Sequence, residues 1–254
     1  RKERGRLPHH GLDLIDPGHR YSAGRFALEA TGWIAEINGR GRLPVVVGGT
    51  GFYVRALAEG LFHEPPLEAA RRRELEEWLT GHDALELVRW AARLDRGFKG
   101  GGRQRATRVI EVALLTGRPL SFWQQAARGH GIIKPWYVVL TVPRPVLHQR
   151  IALRAEEMVK RGLIEEVAAA LADGAPADGP GLDGVGLKEA VEYLHGERKR
   201  ESVAGAIAQS TRQYAKRQET WFRHQIEGDV LALDSVRPVE ELAAEIAAAW
   251  KQKG

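Results

Sequence analysis

The prediction of the fold starts from residues 44–62, which read PVVVGGTGFYVRALAEGLF. The run at residues 45–47 is wholly apolar and β-branched, which is typical of strands buried on both faces of a parallel sheet. Three glycines follow it, and the apolar spacing from Tyr53 predicts a helix. In open α/β sheets, ligands bind where a strand ends in a glycine-rich turn before a helix. The stretch therefore predicts one strand-turn-helix unit of an α/β protein.

The turn itself, Val47-Gly48-Gly49-Thr50-Gly51, leaves two interpretations open. It lacks the lysine of a Walker A loop and the spacing of the dinucleotide-binding fingerprint. Its backbone amides, however, meet the positive end of a helix, where an anion can bind. On pattern alone the turn is either a tight connection or a phosphate site.

The rest of the chain continues the α/β pattern. A helix that opens at Pro145 is expected to run to about Gly174, because proline favours the first helical turn and glycine ends a helix. Apolar spacing also predicts helices at residues 21–37 and 203–222, and strands at residues 136–142 and 230–234.

Residues 62–133 depart from this alternation. They contain charged helical segments and no strand-like run. We therefore predict two domains: an α/β core of residues 1–61 and 134–254, and an all-helical insertion of residues 62–133.

Composition excludes several classes of protein. The 254 residues include no cysteine, so a disulfide framework, a thiolate zinc site and a cysteine nucleophile are excluded. No apolar run reaches the length of a membrane span, and the first residues lack the apolar core of a signal peptide, which predicts a cytoplasmic protein without membrane association. Lysine and arginine outnumber aspartate and glutamate by 38 to 33, which favours a polyanionic partner weakly.

Two helical stretches carry arginine pairs that suit phosphate groups. Arg105 and Arg108 lie three residues apart on one helix face, and Arg150 and Arg154 lie four apart on the helix after the 136–142 strand. A guanidinium group matches phosphate oxygens with two parallel hydrogen bonds. On pattern alone, an ordinary solvated basic helix face is favoured for each pair.

Residues 211–223, TRQYAKRQETWFR, carry the densest pattern. Arg212, Lys216 and Arg223 fall close to one helical stripe with aromatic side chains between them, a composition typical of a helix that faces nucleic acid. Trp221 and Phe222 fit a protein core as well. The stretch therefore predicts either a nucleic-acid contact or a basic amphipathic helix.

The N-terminal segment gathers two imidazoles and two carboxylates: His9, His10, Asp13 and Asp16. Their spacing matches no established zinc pattern. We favour a structural turn, and assign no metal ligand in this chain.

Taken together, these stretches resemble one family, the tRNA dimethylallyltransferases, which prenylate adenosine 37 of certain tRNAs. The matches follow one another along most of the chain. Residues 8–26 resemble the family's Pro-His-His-Leu-Ile-Asp segment, residues 44–61 its Val-Gly-Gly-Thr-Gly-Leu-Tyr segment, and residues 103–121 its Arg-Ala-Leu-Glu-Val segment with the following Thr-Gly. Residues 158–167 (MVKRGLIEEV) and 211–223 complete the set.

The resemblance implies a fold and a reaction. The fold is a P-loop NTPase-like parallel sheet core with an all-helical insertion that contacts tRNA. The reaction transfers a dimethylallyl group from dimethylallyl diphosphate to N6 of adenosine 37, releases pyrophosphate and uses Mg²⁺, with the target base flipped out of the anticodon loop. The implied partners are the tRNA anticodon stem-loop and dimethylallyl diphosphate. Nothing in the sequence requires a dimer, and a monomer is expected.

The resemblance also implies roles for individual residues. Thr50 and Arg154 are implied to act in catalysis, and Arg154, supported by Arg150, to bind the substrate diphosphate. On this basis the glycine turn forms the wall of the reaction channel and holds a nucleotide rather than pyrophosphate. The residues implied to contact tRNA are Thr50, Arg72, Gln104, Arg105, Arg108, Asp183, Gly186, Lys188, Lys216, Arg217, Gln218, Trp221 and Arg223.

The chain departs from the family pattern in three places. Leu187 stands where the family usually has a tyrosine, and residues 95–102 are shorter and richer in glycine than the family's approach to the arginine helix. The family's Gly-x-x-x-x-Gly-Lys-Ser/Thr loop, and the aspartate after it that serves as general base, are not found in the 254 residues, and we expect both upstream of His9. We therefore expect this chain alone to be an inactive fragment.

Two other functions remain open from the sequence. The first is a tRNA-binding module without chemistry, which would keep the basic helices and the glycine turn. The second is a P-loop kinase for a small molecule, which would leave the basic and aromatic pattern of residues 211–223 without a role.

Overall fold

The computed structural model describes residues 5, 7–60, 68–127, 133–226 and 228–253. Helices dominate these ranges, and two strands accompany them. The helices are α1 (Ala23–Gly39), α2 (Gly51–Ala58), α3 (Ala69–Thr80), α4 (Ala84–Leu94), α5 (Arg103–Thr116), α6 (Leu120–Ala127), α7 (Arg144–Lys160), α8 (Leu163–Ala172), α9 (Leu187–Leu194), α10 (Arg200–Gln225) and α11 (Val239–Lys251); the strands are β1 (Tyr137–Thr141) and β2 (Val230–Asp234).

The two strands pair in parallel. Their register runs from Tyr137 opposite Val230 to Thr141 opposite Asp234, and the Ser235 amide extends it by donating to the Thr141 carbonyl oxygen at 2.8 Å. Both strands lie where the β-branched and apolar runs predicted them, and the helices at residues 21–37 and 203–222 are present as α1 and α10. The chain is therefore an α/β protein with a small parallel sheet, as predicted.

The prediction of a buried strand at residues 44–47 is wrong. These residues are assigned neither strand nor helix, and Val45 and Val47 are 73% and 89% exposed. An apolar run becomes a buried strand only when neighbouring strands accept its hydrogen bonds. Within the described ranges the sheet contains β1 and β2 alone, and the valines have no ladder partner there.

The prediction of one continuous helix from Pro145 to about Gly174 is also wrong. Gly162 adopts a left-handed conformation with φ of +96°, which a continuous α-helix does not accept, and the helix divides there into α7 and α8. Glu165 and Glu166 then fall in the first turn of α8, where carboxylates favour the positive helix end.

The described chain divides into two compact units. The first comprises Arg1–Phe26, Ile37–Gly51 and Pro135–Gly254. Its core is built where α7, α8, α9 and α10 meet, and burying each of its larger apolar side chains contributes about 1.5–3 kcal/mol to folding. The buried members of this core are Ile151, Ala155, Leu163, Ile164, Val167, Leu182, Ala190, Val191, Val203, Ile207 and Ala208.

The second unit comprises Ala27–Glu36 and Phe52–Lys134. Helices α3 and α4 pack on α5 around Leu79, Leu87, Ala106 and Ile110. The assignment of residues 62–133 to an inserted domain that contacts tRNA stays a prediction, and residues 61–67 and 128–132 lie outside the described residues.

Asp95 follows α4 and forms hydrogen bonds with Ser121 in the first turn of α6. Its buried carboxylate accepts hydrogen bonds from the Ser121 amide at 2.8 Å, the Ser121 hydroxyl at 2.6 Å and the Gly97 amide at 2.7 Å. Because its lone pairs are satisfied, burial of this charge is compatible with a stable fold. Across the described ranges of both units, no helix has the length and apolar character needed to cross a bilayer.

Candidate nucleic-acid interface

The glycine turn packs against helix α10 within the first unit. Gln218 Nε2 donates a hydrogen bond to the Gly49 carbonyl oxygen at 2.8 Å, and the Thr50 hydroxyl lies 3.4 Å from the Tyr214 hydroxyl. The indole of Trp221 lies against Gly51, the first residue of α2. Tyr214, Gln218 and Trp221 are spaced i, i+4 and i+7, so they form one face of α10. This face holds the turn.

This close packing constrains two of the three glycines of the turn. A Cβ atom placed on Gly49 would overlap the Gln218 amide, and one placed on Gly51 would overlap the Trp221 indole. A Cβ on Gly48 would meet nothing within 4 Å. Two of the three glycines therefore serve the approach of backbone to α10, and the third has no such constraint.

Cationic and aromatic groups surround this contact. The Arg217 guanidinium lies 5.6 Å from the Tyr214 ring centre, and the Trp221 and Phe222 rings meet edge to face at 5.1 Å. Lys216, Arg217 and Arg223 are exposed. The structure thus brings together Thr50, Gln218 and Trp221, with Arg217 joined to them through Tyr214.

Tyr214 was missed by the sequence analysis, although a signal for it was present. It completes the i, i+4, i+7 stripe with Gln218 and Trp221, on the side of the helix that faces the turn and carries none of the basic residues used for the prediction.

Glu219 joins the start of α7 to α10. Its carboxylate accepts hydrogen bonds from Arg144 at 3.1 Å and from Arg223 at 2.7 Å. These side chains are 40–65% exposed, so each pair contributes no more than about 1 kcal/mol to stability. Neither Arg144 nor Glu219 was predicted as a site residue, since their partnership depends on the packing of α7 on α10.

Arg150 and Arg154 lie exposed on α7, on either side of the buried Ile151. In the part of the chain that the structure describes, neither forms a hydrogen bond or an ion pair. Their assignment to the substrate diphosphate stays a prediction.

The segment of residues 183–188 precedes α9. Gly186 has φ of +100°, and its amide donates to the buried Glu189 carboxylate at 2.7 Å, which is the half of a capping box that a glycine can form. Burial would raise the pKa of Glu189, but hydrogen bonds from Ser210 and the Gly186 amide outweigh it and hold that pKa below its ordinary value. Gly186 therefore has a structural role in starting α9.

Side chains around Gly186 divide between the core and a cavity. Leu187 packs against the core of the first unit, where the family usually has a tyrosine. Asp183 and Lys188 are exposed and line a cavity of about 330 Å³ together with His195. The tRNA-contact roles of Asp183, Gly186 and Lys188 stay predictions.

The remaining predicted residues lie in the second unit. Gln104 and Arg105 are exposed in the first turn of α5. Arg72 and Arg108 both form ion pairs with the buried Glu111, which the sequence analysis did not single out. The structure therefore brings Arg72 and Arg108 together from two helices.

A metal site formed by the protein alone needs several carboxylate or imidazole side chains close together. Across the described ranges, no group of three or more histidine, aspartate or glutamate side chains is placed to hold an ion. Because Mg²⁺ usually binds through one or two carboxylates together with substrate phosphates, the Mg²⁺ that the resemblance implies stays a prediction.

The fold and the site define an α/β protein whose glycine turn rests on a basic, aromatic helix. The IPP transferase family model matches residues 1–225, and the chain belongs to this family. The family predicted from the ordered motifs is thereby confirmed.

Curated relatives support the same assignment. The chain is 39% identical over 234 residues to a tRNA dimethylallyltransferase of Geobacter metallireducens, covering 89% of this chain and 75% of that protein. It is 40% identical over 232 residues to a tRNA dimethylallyltransferase of Rhizobium meliloti, covering 89% and 76%. Both relatives carry the name of a prenyltransferase.

Solved structures agree with the fold. A tRNA isopentenylpyrophosphate transferase from Bacillus halodurans superposes with a TM-score of 0.69 at 30% identity, over 99% of this chain and 80% of that one. A eukaryotic dimethylallyltransferase solved acting on tRNA gives a TM-score of 0.75 at 21% identity over 99% and 67%, a likeness of fold alone.

Proposed function

We propose that this protein transfers a dimethylallyl group from dimethylallyl diphosphate to N6 of adenosine 37 in tRNA. The observation that carries the proposal is the contact of the Gly49-Thr50-Gly51 turn with the Tyr214, Gln218 and Trp221 face of α10. It puts a hydroxyl and aromatic rings beside exposed cations, a combination that suits an unstacked base and its phosphates. The names of the curated relatives support the same substrates.

Atoms balance in the transfer as follows. The bond from the dimethylallyl carbon to the diphosphate oxygen breaks, a bond from that carbon to N6 forms, and pyrophosphate leaves. The proton that N6 loses passes to water or to the departing pyrophosphate. In this chain, Arg154 and Arg150 would neutralise the departing diphosphate, since a guanidinium donates two aligned hydrogen bonds to phosphate oxygens. Thr50 would meet the nucleotide, and Lys216, Arg217 and Arg223 would contact the RNA backbone.

Other features of the proposal rest on the family resemblance. We propose a P-loop-type core, an inserted helical domain that contacts tRNA, dimethylallyl diphosphate as donor and Mg²⁺ as cofactor. The small parallel sheet and the helical second unit are compatible with the first two. The expectation that the 254-residue chain alone is inactive stays a prediction.

The test is a mass measurement on RNA. The protein expressed from its complete reading frame is incubated with dimethylallyl diphosphate, Mg²⁺ and an anticodon stem-loop that carries adenosine 37. We expect the RNA to gain one dimethylallyl group in place of one hydrogen, and a matched stem-loop with guanosine 37 to remain unchanged. RNA binding without a mass gain would favour a tRNA-binding module and contradict transfer.

A further inference from the structure

Glu111 is a buried carboxylate that the proposed reaction does not use. It lies on α5 and is 3% exposed, beside the core residues Val109, Ile110 and Val112. Placing a charge in such surroundings is costly unless other groups compensate it. The groups that compensate the charge of Glu111 therefore indicate the role of this side chain.

Two arginines from different helices compensate this carboxylate. Arg72 of α3 directs Nε at Oε1, and Arg108 of α5 donates from Nη1 to Oε2 at 2.9 Å. Oε1 accepts no hydrogen bond of regular geometry, so the charge of Arg72 is its compensation. The carboxylate thus ties one guanidinium group to each of its two oxygens.

The outer parts of these arginines remain accessible. The side chains of Arg72 and Arg108 are 41% and 31% exposed, whereas that of Glu111 is 4% exposed. Arg72 Nε also donates a hydrogen bond to the Glu76 carboxylate at 3.2 Å, and both ion pairs of Arg72 use Nε. Its two terminal nitrogens, which form the fork that binds phosphate oxygens, therefore take no part in either pair.

Stability alone does not account for this buried acid. Replacing a buried ion pair or triad by apolar residues of similar volume is often neutral or stabilising, so a buried charge is weak support for a role in stability. Holding a long, flexible arginine in one orientation, by contrast, lowers the conformational entropy that it loses when it binds.

We infer that Glu111 is a positioning residue, which holds Arg72 and Arg108 as a preset pair for a phosphate group of the RNA. The inference rests on the proposed function, because it takes tRNA as the ligand. It adds a residue to the RNA-binding surface that never touches RNA itself.

Charge and positioning make opposite predictions for Glu111→Gln. If charge alone mattered, removing an acid beside two arginines would tighten RNA binding. If Glu111 positions the arginines, the same change weakens binding, because the two guanidinium groups lose their common anchor. Glu76→Gln is the matched control: it removes a half-exposed charge beside Arg72, while the glutamine oxygen can still accept the Arg72 Nε hydrogen bond, so binding should stay unchanged or become tighter.

The experiment measures the dissociation constant of the full chain for an adenosine-37 anticodon stem-loop at several salt concentrations. We expect Glu111→Gln to weaken binding about three- to tenfold and to lower the salt slope by about one phosphate contact. In an Arg72→Ala and Arg108→Ala background, Glu111→Gln should have no further effect. Glu111→Leu, which leaves no unpaired polar group on the glutamate side, provides a second variant, and thermal unfolding shows that each variant is folded.

The outcomes separate the two proposals. Binding that Glu111→Gln and Glu111→Leu leave unchanged or tighten would overturn the positioning role alone. Absence of binding by the unsubstituted chain would overturn the tRNA assignment, and the positioning role with it.

Discussion

Gln218 Nε2 donates a hydrogen bond to the backbone carbonyl oxygen of Gly49 at a distance of 2.8 Å, and so fixes the glycine turn to α10. These residues are separated by 169 positions in sequence. The hydrogen bond joins two of the segments that resemble the family, and the Thr50 hydroxyl lies beside Tyr214 at the same contact. Substitutions at this contact should therefore change the stability of the fold or the binding of RNA.

A side chain at Gly51 should lower the free energy of unfolding. In Gly51→Ala the new methyl group would overlap the Trp221 indole, and forcing extra volume into such a contact typically costs about 1–3 kcal/mol. Gly48→Ala is the matched control, since its Cβ would meet nothing within 4 Å. Denaturant unfolding of both variants measures the difference. Equal free energies of unfolding would show that the turn does not pack on α10 as described.

Arg217 should act on RNA binding through charge. Arg217→Ala is expected to weaken binding of the anticodon stem-loop and to reduce the salt slope by about 0.7–1, the effect of one lost phosphate contact. Arg237→Ala is the control, because Arg237 forms an ion pair with Glu245 of α11 at 2.7 Å and is not a predicted RNA contact. Fluorescence anisotropy across a salt series measures both. A salt slope equal to that of the unsubstituted chain would remove Arg217 from the RNA-contact surface.

Arg154 should act on the donor substrate and not on RNA. In the protein from the complete reading frame, Arg154→Ala is expected to raise KM for dimethylallyl diphosphate or lower kcat at least about tenfold, since a charge-assisted hydrogen bond to phosphate is lost. The dissociation constant for the stem-loop should change little. Arg161→Ala, at the end of the same helix and paired with Glu157, is the control. A loss confined to RNA binding would assign Arg154 to the other substrate.

Glu189 should make stability depend on acid pH. Its pKa in the folded chain lies below the ordinary value of 4.5, so its contribution is present above that value and is lost as pH falls through the folded pKa. Glu189→Gln should therefore lower stability at neutral pH and flatten the fall in unfolding free energy below pH 4.5. Denaturant titrations of both proteins across this range provide the measurement. Parallel pH profiles would contradict the depressed pKa.

Sequence patterns predicted elements whose signals are local. Both strands of the sheet and helix α10 followed from apolar spacing, because the pairing and packing they need are present in the fold. Residues 44–47 carried an equally strong strand signal and are exposed, since a strand also needs partners that its own sequence does not encode. Gly162 shows a second limit: one left-handed residue divides a helix that the spacing predicted as continuous.

Residues of the candidate site could also be predicted only where their signal is local in the sequence. The cations of residues 211–223 were visible because basic residues at helical spacing stand out in a sequence. Tyr214 could have been predicted from its i, i+4, i+7 spacing with Gln218 and Trp221. Glu111 could not have been assigned a role, because its ion pair with Arg72 joins two different helices. Long-range ion pairs are set by packing, and packing was not predicted.

The most direct test of the central claim is a photo-crosslink from position 37 of the RNA. An anticodon stem-loop with a photoreactive nucleoside at that position is bound to the chain, irradiated and digested, and the modified peptide is identified by mass spectrometry. We predict crosslinks to the peptides that contain residues 48–51 or 211–223, the turn and the helix face that holds it. Crosslinks found only elsewhere, such as on α11, would contradict a site at this contact.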